Sequence, residues 1–509
     1  MPARADMRLS LSAFVTGFAT LGLEVTALRL LAPSFGSNLL VFSNVVGVIL
    51  AGLAAGYALG GRLADRRPDA RLAGALQLAA GVLVLLLPLL SRPFLASARQ
   101  ALAEGSASLF LRSLAAATLL VLPPTLLLGA VSPFLVRLRT RDVAGVGRAS
   151  GHLSAVATAG SLLGTFFPTL VTIPFLGTGA TLALLGGLLV AASPLLLGRR
   201  GLVGLPVLLL ALLARDPRAR APGVLEERES RYQSLRVEEK PDGTRVLLIN
   251  EGLAEQSTYR PGARLSGTMY DAFLLLGAAK DGGIATLADL GLAGGTIAHV
   301  FQTQLPSVAV TGVELDPDVI ALGRRHFTLD DPNLRIVNDD ARVFLARGRA
   351  RFDAIAVDVF RPPHVPFPCA TREFFALAKE RLAPGGALMM NVAALREDDP
   401  VVTGLLNTAA SVFPEIWVWH PLFHRNHVLV ASDAPGLRER LARNPVPADL
   451  EELRGHVVAA LERVSFDAAR PVFTDDRAPV ELLSDLLFLR VLAEEERGAR
   501  ERAEDPKAH

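Results

Sequence analysis

The first half of the chain is almost unbroken hydrophobic sequence, and this feature constrains the fold most strongly. Between Leu9 and Ala214 it holds apolar stretches near the roughly 20 residues that a helix needs to cross a bilayer. Because backbone groups in hydrocarbon must be satisfied within the protein, such stretches predict helices. Six stretches predict membrane-spanning helices: 9–31, 39–61, 72–91, 112–136, 151–175 and 180–198.

Two parts of this half leave alternatives open. The stretch 201–214 would cover only about 21 Å as a helix, short of the ~30 Å hydrocarbon core, so we expect a tilted, interfacial or re-entrant segment. The first stretch is too long for a signal peptide, lacks a clear cleavage site and precedes further spans, so it should remain in the mature protein. Two charged residues in this stretch, Glu24 and Arg29, have two interpretations. In the structural one, Glu24 faces the helix bundle and Arg29 extends to the membrane interface; in the other, they have a functional role.

Arginines predict the orientation. The linkers after the second, fourth and sixth stretches are basic, and cytoplasmic loops carry an excess of Lys and Arg. We therefore expect a multi-pass protein of the cell (inner) membrane, with a lipid bilayer as partner and the soluble half in the cytoplasm. The arginines concerned are Arg62, Arg66, Arg67, Arg71, Arg137, Arg139, Arg141, Arg148, Arg199 and Arg200.

Composition argues against two other classes of site. The net charge of +2 gives no electrostatic footprint for nucleic acid, so we expect no such partner. Cys369 is the single cysteine, which excludes an intrachain disulfide and a Cys-x-x-Cys metal site. The spacing of His420, His424 and His427 suits a strand and loop better than a metal site, so no metal is expected.

The second half begins after a polar, proline-containing stretch. Two alternating runs, Ser234–Glu239 and Thr244–Ile249, flank the turn signal Lys240-Pro-Asp-Gly243 and predict a β-hairpin. The predicted domains are a transmembrane domain at 1–214, a linker at 215–222, a small β subdomain at 223–275, a nucleoside-binding catalytic domain at 276–490 and a charged, disordered tail at 491–509.

From Ile284 onward, strand and helix patterns alternate. The predicted strands are Ile284–Leu290, Val308–Glu314, Leu334–Val337, Phe352–Asp358 and Ala387–Val392. Alternation of this kind predicts a Rossmann-like α/β fold with a parallel sheet, in which ligands bind beyond the carboxyl ends of the strands.

The loops that follow these strands carry the candidate binding residues. Gly291 and Gly295 permit a tight turn and close approach of a ligand to amides at a helix N-terminus. Glu314, about twenty residues on, is placed to accept hydrogen bonds from ribose hydroxyls. Asp340 is placed to accept one from an exocyclic amine. The alternative is glycine needed for helix packing and acids that cap helices.

At these residues the chain resembles the spermidine synthase (polyamine aminopropyltransferase) family, within the class I S-adenosylmethionine methyltransferase fold. It is most similar to the membrane-fused branch described as fused transporter and spermidine synthase proteins. The segments that carry the resemblance are Gly22-Leu-Glu24 through Arg29, Phe35-Gly36, Gly61-Arg62-Leu-Ala-Asp65-Arg66, Ser230-Arg-Tyr-Gln233, Glu314-Leu-Asp316-Pro, Asp340-Ala341 and Thr474-Asp-Asp-Arg-Ala-Pro-Val-Glu481.

The resemblance implies binding roles for individual residues. Gln233 would contact the thioether nucleoside, Glu314 and Asp316 would form the ribose-binding turn, and Asp340 and Ala341 would contact adenine. It also implies decarboxylated S-adenosylmethionine, or S-adenosylmethionine itself, as co-substrate.

The departures from the family concern the acceptor. The family's Asp-x-x-Asp motif is Asp358-Val-Phe-Arg361 here, and an arginine would repel a diamine and favour a carboxylate or phosphate. Its Tyr-His-Glu motif keeps only Tyr270, and the Gly-rich turn lacks the family's acidic residue.

We therefore expect a transferase at the membrane that moves an aminopropyl or other alkyl group from a sulfonium nucleoside to a small amine or membrane-associated acceptor. Asp358 would be the base or orienter, with Tyr270 beside it. The acceptor pocket is expected to include Gln256, Arg361, Asp475 and Asp476. Helix or strand-end capping is the structural alternative for Asp358, Asp475 and Asp476.

Three other functions stay open: a methyltransferase acting on a membrane-associated substrate, a transporter with a nucleoside-sensing domain, and a scaffold that binds a nucleoside without chemistry. The oligomeric state is also open, a homodimer being one alternative.

Overall fold

The computed structural model describes most of the chain. The described residues are 2–35, 39–103, 109–140, 145–204, 223–250, 255–359, 365–393, 399–421, 426–480 and 482–483. The predicted linker, most of the 201–214 segment, Arg361, His424 and the predicted tail lie outside them. The chain divides into a helical unit, Met1–Arg220 with Glu229–Ser234, and an α/β unit, Ala221–Arg228 with Leu235–His509.

The helical unit consists of α-helices joined by short breaks. In chain order they are α1 (Pro2–Phe35), α2 (Leu39–Arg66), α3 (Ala70–Ala103), α4 (Leu109–Leu120), α5 (Leu122–Arg139), α6 (Val146–Phe167), α7 (Ile173–Leu176), α8 (Thr178–Ala192) and α9 (Pro194–Leu197). A π-helical turn, Pro168–Thr172, joins α6 to α7, and a 3-10 helix, Gly198–Val203, follows α9.

Among the described residues, five helical segments are long and apolar enough to cross a membrane, or six if α4 and α5 together form one span. The sequence predicted six stretches, and the difference lies at this pair. The axes of α4 and α5 differ by 49° at a break that precedes Pro123 and Pro124. Proline fits the first turn of a helix but cannot continue one, so a helix restarts there.

Small residues let these helices approach closely. A Cβ added to Gly160 of α6 would lie 2.1 Å from the Phe14 carbonyl oxygen of α1, and one added to Gly56 of α2 would lie 2.3 Å from that of Leu126 in α5. These glycines therefore allow the helix pairs α1–α6 and α2–α5 to pack closely.

Arg29 has a defined partner within the helical unit. Its guanidinium donates to the backbone carbonyl of Ser230, in the segment Glu229–Ser234 that belongs to this unit. Nearby, the Glu229 carboxylate accepts from both the backbone N–H and the hydroxyl of Thr178, at 2.6 Å each, at the start of α8. A carboxylate is favourable at a helix N-terminus, so Glu229 fixes this end of α8.

A small sheet precedes the nucleotide-type fold. Its strands, β1 (Val224–Glu229), β2 (Ser234–Glu239), β3 (Arg245–Ile249) and β4 (Glu255–Tyr259), lie in chain order. Strands β2 and β3 pair antiparallel, which confirms the predicted hairpin. Gly243, with φ +79°, closes the turn by donating to the Lys240 carbonyl at 2.9 Å.

The main sheet has eight strands in the order β12-β10-β11-β9-β8-β5-β6-β7. The strands are β5 (Thr286–Leu290), β6 (Ala309–Glu314), β7 (Leu334–Asn338), β8 (Phe352–Val357), β9 (Leu382–Ala393), β10 (Glu415–Trp419), β11 (Asn426–Ser432) and β12 (Glu462–Val464). Strands β5 to β9 are parallel and β10 to β12 are antiparallel additions. The Rossmann-like class and the parallel sheet are confirmed.

Helices and a 3-10 segment, Met269–Ala278, cover the sheet. The helices are α10 (Thr296–Gln304), α11 (Pro317–His326), α12 (Ala341–Arg347), α13 (Arg372–Arg381), α14 (Pro400–Ala410), α15 (Leu437–Arg443) and α16 (Glu451–Ala460). On β5 the side chains alternate between two buried cores. Ala288 and Leu290 pack into one core with Phe374 of α13, whereas Leu287 packs into the other with Phe273.

Strand order reverses between β5 and β8. From β5 the chain moves outward through β6 and β7, then returns to add β8 on the other side of β5. A crevice forms at the carboxyl ends of strands where the order reverses, because the connections leave in opposite directions. The loops after β5, β6 and β8 therefore meet at one place.

Candidate active site

Asp358 occupies this crevice directly after β8. Its backbone N–H donates to the Leu290 carbonyl of β5 at 2.9 Å, which fixes the start of the loop. Its Oδ1 accepts from Asn391 Nδ2 at 2.8 Å, and its side chain remains partly exposed. Burial raises the pKa of Asp358 to about 6, although hydrogen bonds from Asn391 and Tyr270 oppose the rise. Such a carboxylate is ionised at neutral pH and close enough in pKa to accept a proton.

Tyr270 borders Asp358 from the 3-10 segment. Its hydroxyl lies 3.3 Å from the Glu255 carbonyl and 3.4 Å from that of Gln256, both on β4. Burial, followed by the charges of Asp358, Glu255 and Asp289, raises the pKa of Tyr270 well above its usual value. The phenol therefore stays neutral, so it can donate a hydrogen bond but does not act as a base.

Asn391 is a site residue that the sequence reasoning missed. Its Oδ1 accepts from Asn426 Nδ2 at 2.9 Å, which leaves its own Nδ2 to face Asp358. Asn426 also contacts Met269 Sδ at 3.0 Å. This row of side chains sets the orientation of the Asn391 amide and through it that of Asp358. A signal was present, since Asn391 is a polar residue within the apolar run Leu388-Met-Met-Asn-Val392.

Glu314 ends β6 and is buried. Its Oε2 accepts from the Ala293 N–H and its Oε1 from the Asp316 N–H, both at 2.9 Å. Burial raises the pKa of Glu314 to about 7, against the lowering effect of these backbone hydrogen bonds. Each carboxylate oxygen can accept a second hydrogen bond, so the predicted pairing with two ribose hydroxyls is compatible with this geometry.

Gly291 and Gly295 both have φ values in the left-handed region, at +92° and +91°. A Cβ on Gly291 would lie 2.4 Å from the Asp358 carbonyl oxygen, and one on Gly295 would lie 2.0 Å from Leu329 Cδ2. Glycine is therefore required at both positions by the protein's own packing.

The amides of this turn are engaged within the protein. The N–H groups of Gly291 and Leu292 donate to the Val313 carbonyl at 2.9 and 3.0 Å, and that of Gly294 donates to Ser257 Oγ at 2.7 Å. The sequence led us to expect these amides to face a ligand. In the structure they instead hold the turn against β6 and β4, and the role of the glycines toward a nucleoside stays a prediction.

The remaining predicted nucleoside contacts are helix caps. Asp316 accepts from the Asp318 N–H at 3.0 Å at the start of α11. Asp340 Oδ1 accepts from the N–H groups of Arg342 and Val343, at 2.9 and 3.0 Å, at the start of α12. Ala341 is the buried first residue of α12. Both acids therefore cap helices, which is the structural alternative to nucleoside binding. Asp340 Oδ2 accepts no hydrogen bond from the described residues.

The residues predicted for the acceptor pocket have different surroundings in the structure. Asp475 is exposed and pairs with Arg342 at 2.7 and 2.5 Å, which holds the pKa of Asp475 below its usual value, and it accepts from Thr371 at 2.8 Å. Asp476 is also exposed. Gln256 contributes its carbonyl to the surroundings of Tyr270.

For two predicted site residues, the structure gives no contact with Asp358. Arg361 lies outside the described residues. Gln233 belongs to the helical unit, where its backbone N–H donates to Ser230 Oγ at 3.0 Å.

Asp289 is a second polar residue to which the sequence assigned no role. It lies in β5, is fully buried, and neither of its carboxylate oxygens has a hydrogen-bond partner among the described residues. Burial, then the charges of Asp358 and Glu314, raise the pKa of Asp289 to about 8. A carboxyl group inside the apolar run Ile284–Leu290 was the available signal.

Histidines give no metal site in the described part of the chain. No group of three or more His, Cys, Asp or Glu side chains there is arranged to hold a metal ion. The rings of His420 and His427 pack edge to face, with centroids 4.5 Å apart.

Comparison with known proteins identifies the central part of the α/β unit. Residues 280–429 match the family model of the spermine/spermidine synthase domain. Residues 280–429 are therefore similar to a spermine/spermidine synthase domain. The matched range includes Asp289, Glu314, Asp358 and Asn391, whereas Tyr270 lies just before it.

Relatives of the synthase domain carry aminopropyltransferase names. The chain is 30% identical over 289 residues to a "Probable polyamine aminopropyl transferase" of Bifidobacterium longum, covering 53% of this chain and 64% of the relative. It is 28% identical over 341 residues to the "Polyamine aminopropyltransferase" of Mycobacterium tuberculosis, covering 58% of this chain and 62% of the relative. The chain thus spans less than two thirds of the length of each of these two relatives.

A solved structure of a probable spermidine synthase from Corynebacterium glutamicum ATCC 13032 aligns with 52% of this chain and 99% of that chain, at 22% identity and a TM-score of 0.38.

Proposed function

We propose that this protein is a membrane-anchored, spermidine synthase-like transferase. It moves an aminopropyl group, or another alkyl group, from a sulfonium nucleoside derived from S-adenosylmethionine to an amine acceptor. The observation that carries the proposal is Asp358, a partly exposed carboxylate with a pKa of about 6, held by Asn391 at the crevice where the strand order reverses.

The donor needs little activation by the protein. A carbon bonded to a sulfonium is already electrophilic, so catalysis consists mainly of alignment and of keeping the acceptor amine neutral. In the transfer, the amine nitrogen forms a bond to that carbon and the carbon–sulfur bond breaks, leaving a neutral thioether nucleoside. The proton lost by the amine passes to Asp358 and then to solvent.

The remaining polar groups position the reactants. Glu314, fixed by the N–H groups of Ala293 and Asp316, receives the ribose hydroxyls. Tyr270 stays neutral and donates toward Asp358, which orients the carboxylate without competing for the proton. Asp340 keeps Oδ2 for the adenine amine.

The acceptor carries an acidic group in this proposal. The residue three positions after Asp358 is Arg361, where the resembling family has a second carboxylate. A guanidinium remains cationic and presents a planar fork of donors that matches a carboxylate or phosphate. An amino acid or an amine-bearing lipid head group fits this chemistry better than a diamine.

Membrane anchoring rests on the helical unit. In addition to the apolar helices, large side chains on their surfaces are exposed, among them Leu50 of α2, Leu162 and Phe166 of α6, and Phe175 of α7. Extensive exposed apolar surface on helices suits hydrocarbon better than water. Retention of the full chain in membranes after an alkaline carbonate wash would support this, and its release would contradict it.

Ligand binding tests the transferase proposal. The detergent-purified full chain is titrated with decarboxylated S-adenosylmethionine, S-adenosylmethionine and methylthioadenosine while its unfolding temperature is followed, since a ligand of the native state stabilises it. The proposal expects the decarboxylated donor to stabilise most. Preference for S-adenosylmethionine would instead favour methyl transfer, and no response to any of the three would contradict both.

A further inference from the structure

Helix α12 is short, and side chains hold it at both ends. It spans seven residues, Ala341–Arg347, and an isolated helix of that length is marginal in water. Toward its C-terminal end the Leu345 carbonyl accepts from Arg381 Nε at 2.8 Å. At its N-terminal end the guanidinium of Arg342 contacts other segments of the chain. Because Asp340 caps this end, the contacts of Arg342 also help to determine where the Asp340 carboxylate lies.

The Arg342 guanidinium joins α12 to two other segments. Its Nη1 donates at 3.0 Å to the carbonyl of Pro368, which lies between Asp358 and α13 in the chain. Its two terminal nitrogens also donate to the Asp475 carboxylate, Nη1 to Oδ1 at 2.7 Å and Nη2 to Oδ2 at 2.5 Å. The hydroxyl of Thr371, the residue that caps α13, donates to Asp475 Oδ1 at 2.8 Å. A two-point ion pair of this kind fixes orientation as well as distance.

Asp475 belongs to a segment, residues 473–480, that we call the C-terminal strap. Phe473 attaches the strap at its start. Its N–H donates to Thr408 Oγ1 and its carbonyl accepts from the Arg372 N–H, both at 2.8 Å, and its ring is buried in the core. The strap is therefore fixed on α13 and α14, and from this base Asp475 holds the start of α12.

We propose that Asp475 is a positioning residue for base recognition: through Arg342 it holds Asp340 where the carboxylate accepts from the exocyclic amine of adenine. This proposal rests on the proposed function, because it requires the nucleoside site and the adenine contact of Asp340. It gives Asp475 a different role from the acceptor-pocket role that the sequence predicts. A carboxylate oxygen accepts a hydrogen bond from an amine but not from a carbonyl, so the strap would control which base is bound.

The exposure of the ion pair limits the size of its effect. The exposed fraction of the side chain is 20% for Arg342 and 47% for Asp475. A single exposed pair contributes little, whereas a two-point pair within a network contributes more. The fold should survive loss of Asp475, since Phe473 keeps the strap attached. The start of α12 should become less ordered, and selectivity for the base should decrease.

Base selectivity measures this role. Calorimetry with the detergent-purified full chain gives Kd for methylthioadenosine and for methylthioinosine, which has a carbonyl in place of the exocyclic amine. The wild type should bind methylthioadenosine about 10- to 100-fold more tightly, as for a hydrogen bond to a charged acceptor. In Asp475→Ala this ratio should fall about three- to tenfold, as for loss of one ordinary hydrogen bond. Asp475→Asn, which keeps the shape and removes the charge, should give a smaller fall.

Exchange of the two charges tests whether the ion pair itself is responsible. Asp475→Arg alone brings two guanidinium groups together, and Arg342→Asp alone brings two carboxylates together, so each should lower the ratio. The double variant restores an ion pair and should have a ratio closer to that of the wild type than either single variant. Asp281→Ala is the matched control, because it removes an Asp–Arg pair, with Arg443 at 2.7 Å, that lies before the start of β5 and away from the carboxyl ends of the strands. The control should leave the ratio unchanged.

The outcomes separate this inference from the proposed function. If the wild type binds methylthioadenosine, a wild-type ratio near one or an unchanged ratio in Asp475→Ala would overturn the inference and leave the nucleoside site in place. A double variant no closer to the wild type than the single variants would overturn it as well. An unchanged ratio together with a raised KM for the amine would instead place Asp475 in the acceptor pocket. If the wild type binds neither nucleoside, both proposals fail. The unfolding temperature of each variant reports its folding, and Asp475→Asn decides the question if the other variants do not fold.

Discussion

The substitution Asp358→Asn separates binding from chemistry at this site. The amide has the same shape as the carboxylate, and its oxygen can still accept from Asn391 Nδ2, now 2.8 Å from Asp358 Oδ1. The nitrogen that replaces Oδ2 cannot take a proton. We therefore expect the affinity for methylthioadenosine to be retained, while turnover falls about 10²- to 10⁴-fold, the usual contribution of a general base.

The pH dependence makes this prediction sharper. With a pKa of about 6, the wild-type Asp358 is about nine-tenths ionised at pH 7 and about one-tenth ionised at pH 5. Turnover should therefore fall about tenfold between these pH values. In Asp358→Asn this acid limb should disappear, because the titrating group is gone.

The assay follows release of methylthioadenosine by the full chain with saturating decarboxylated S-adenosylmethionine and each of several amines. Asp353→Asn is the control, since it makes the same chemical change on β8, the strand that Asp358 follows, and removes one partner of Lys280. Its turnover should remain near that of the wild type. Wild-type turnover in Asp358→Asn, or an unchanged acid limb in that variant, would refute the role of Asp358 as base.

Three further predictions concern the neighbouring residues. Glu314→Ala should weaken methylthioadenosine binding at least about tenfold in a folded protein, because hydrogen bonds to a carboxylate are lost, and calorimetry with unchanged affinity would remove Glu314 from the site. The native-state pKa values of Asp289 and Glu314, about 8 and about 7, lie above those of the unfolded chain, so the native state binds protons more tightly. The free energy of unfolding gained from these protons is complete below about pH 4 and is lost as pH rises toward 8. The unfolding temperature of the ligand-free protein should accordingly decrease between pH 5 and pH 9, less so in Asp289→Asn, and a rise would contradict this. Wild-type protein should use putrescine poorly and anionic amines better, and Arg361→Asp should reverse that order; robust transfer to putrescine by the wild type would exclude an anionic acceptor.

The general fold could be predicted because its signals are local. Alternation of strand and helix patterns after Ile284 predicted the parallel order, and the turn at Lys240–Gly243 predicted the hairpin of β2 and β3. The antiparallel strands β10 to β12 were not assigned as part of the sheet. Strand β11 pairs with β9, β10 with β11 and β12 with β10, and the pairings of β9 with β11 and of β10 with β12 depend on contacts between distant parts of the chain.

The positions of Glu314 and Asp358 at the crevice could also be predicted, since Glu314 is the last residue of its strand and Asp358 directly follows its strand. The hydrogen bonds of these two side chains could not be predicted. The two oxygens of Glu314 accept from the Gly-rich turn and from its own turn, a pairing that depends on how β5 and β6 align. The ion pair of Asp475 with Arg342, a partner 133 residues away in the chain, could not be predicted either, and the place of Asp475 in the acceptor pocket stays a prediction.

Asp289 and Asn391 show why motif reasoning missed part of the site. Each is a polar residue inside an apolar strand, where a pattern of hydrophobic residues predicts only burial. The surroundings of both residues depend on neighbours across the sheet. Asn391 contacts Asn426 and Asp358, whereas the titratable groups near Asp289 among the described residues are the acids Asp358, Glu314 and Tyr270. The sheet register that brings these groups together depends on contacts between strands that are distant in the sequence, so the hydrophobic pattern alone could not reveal it.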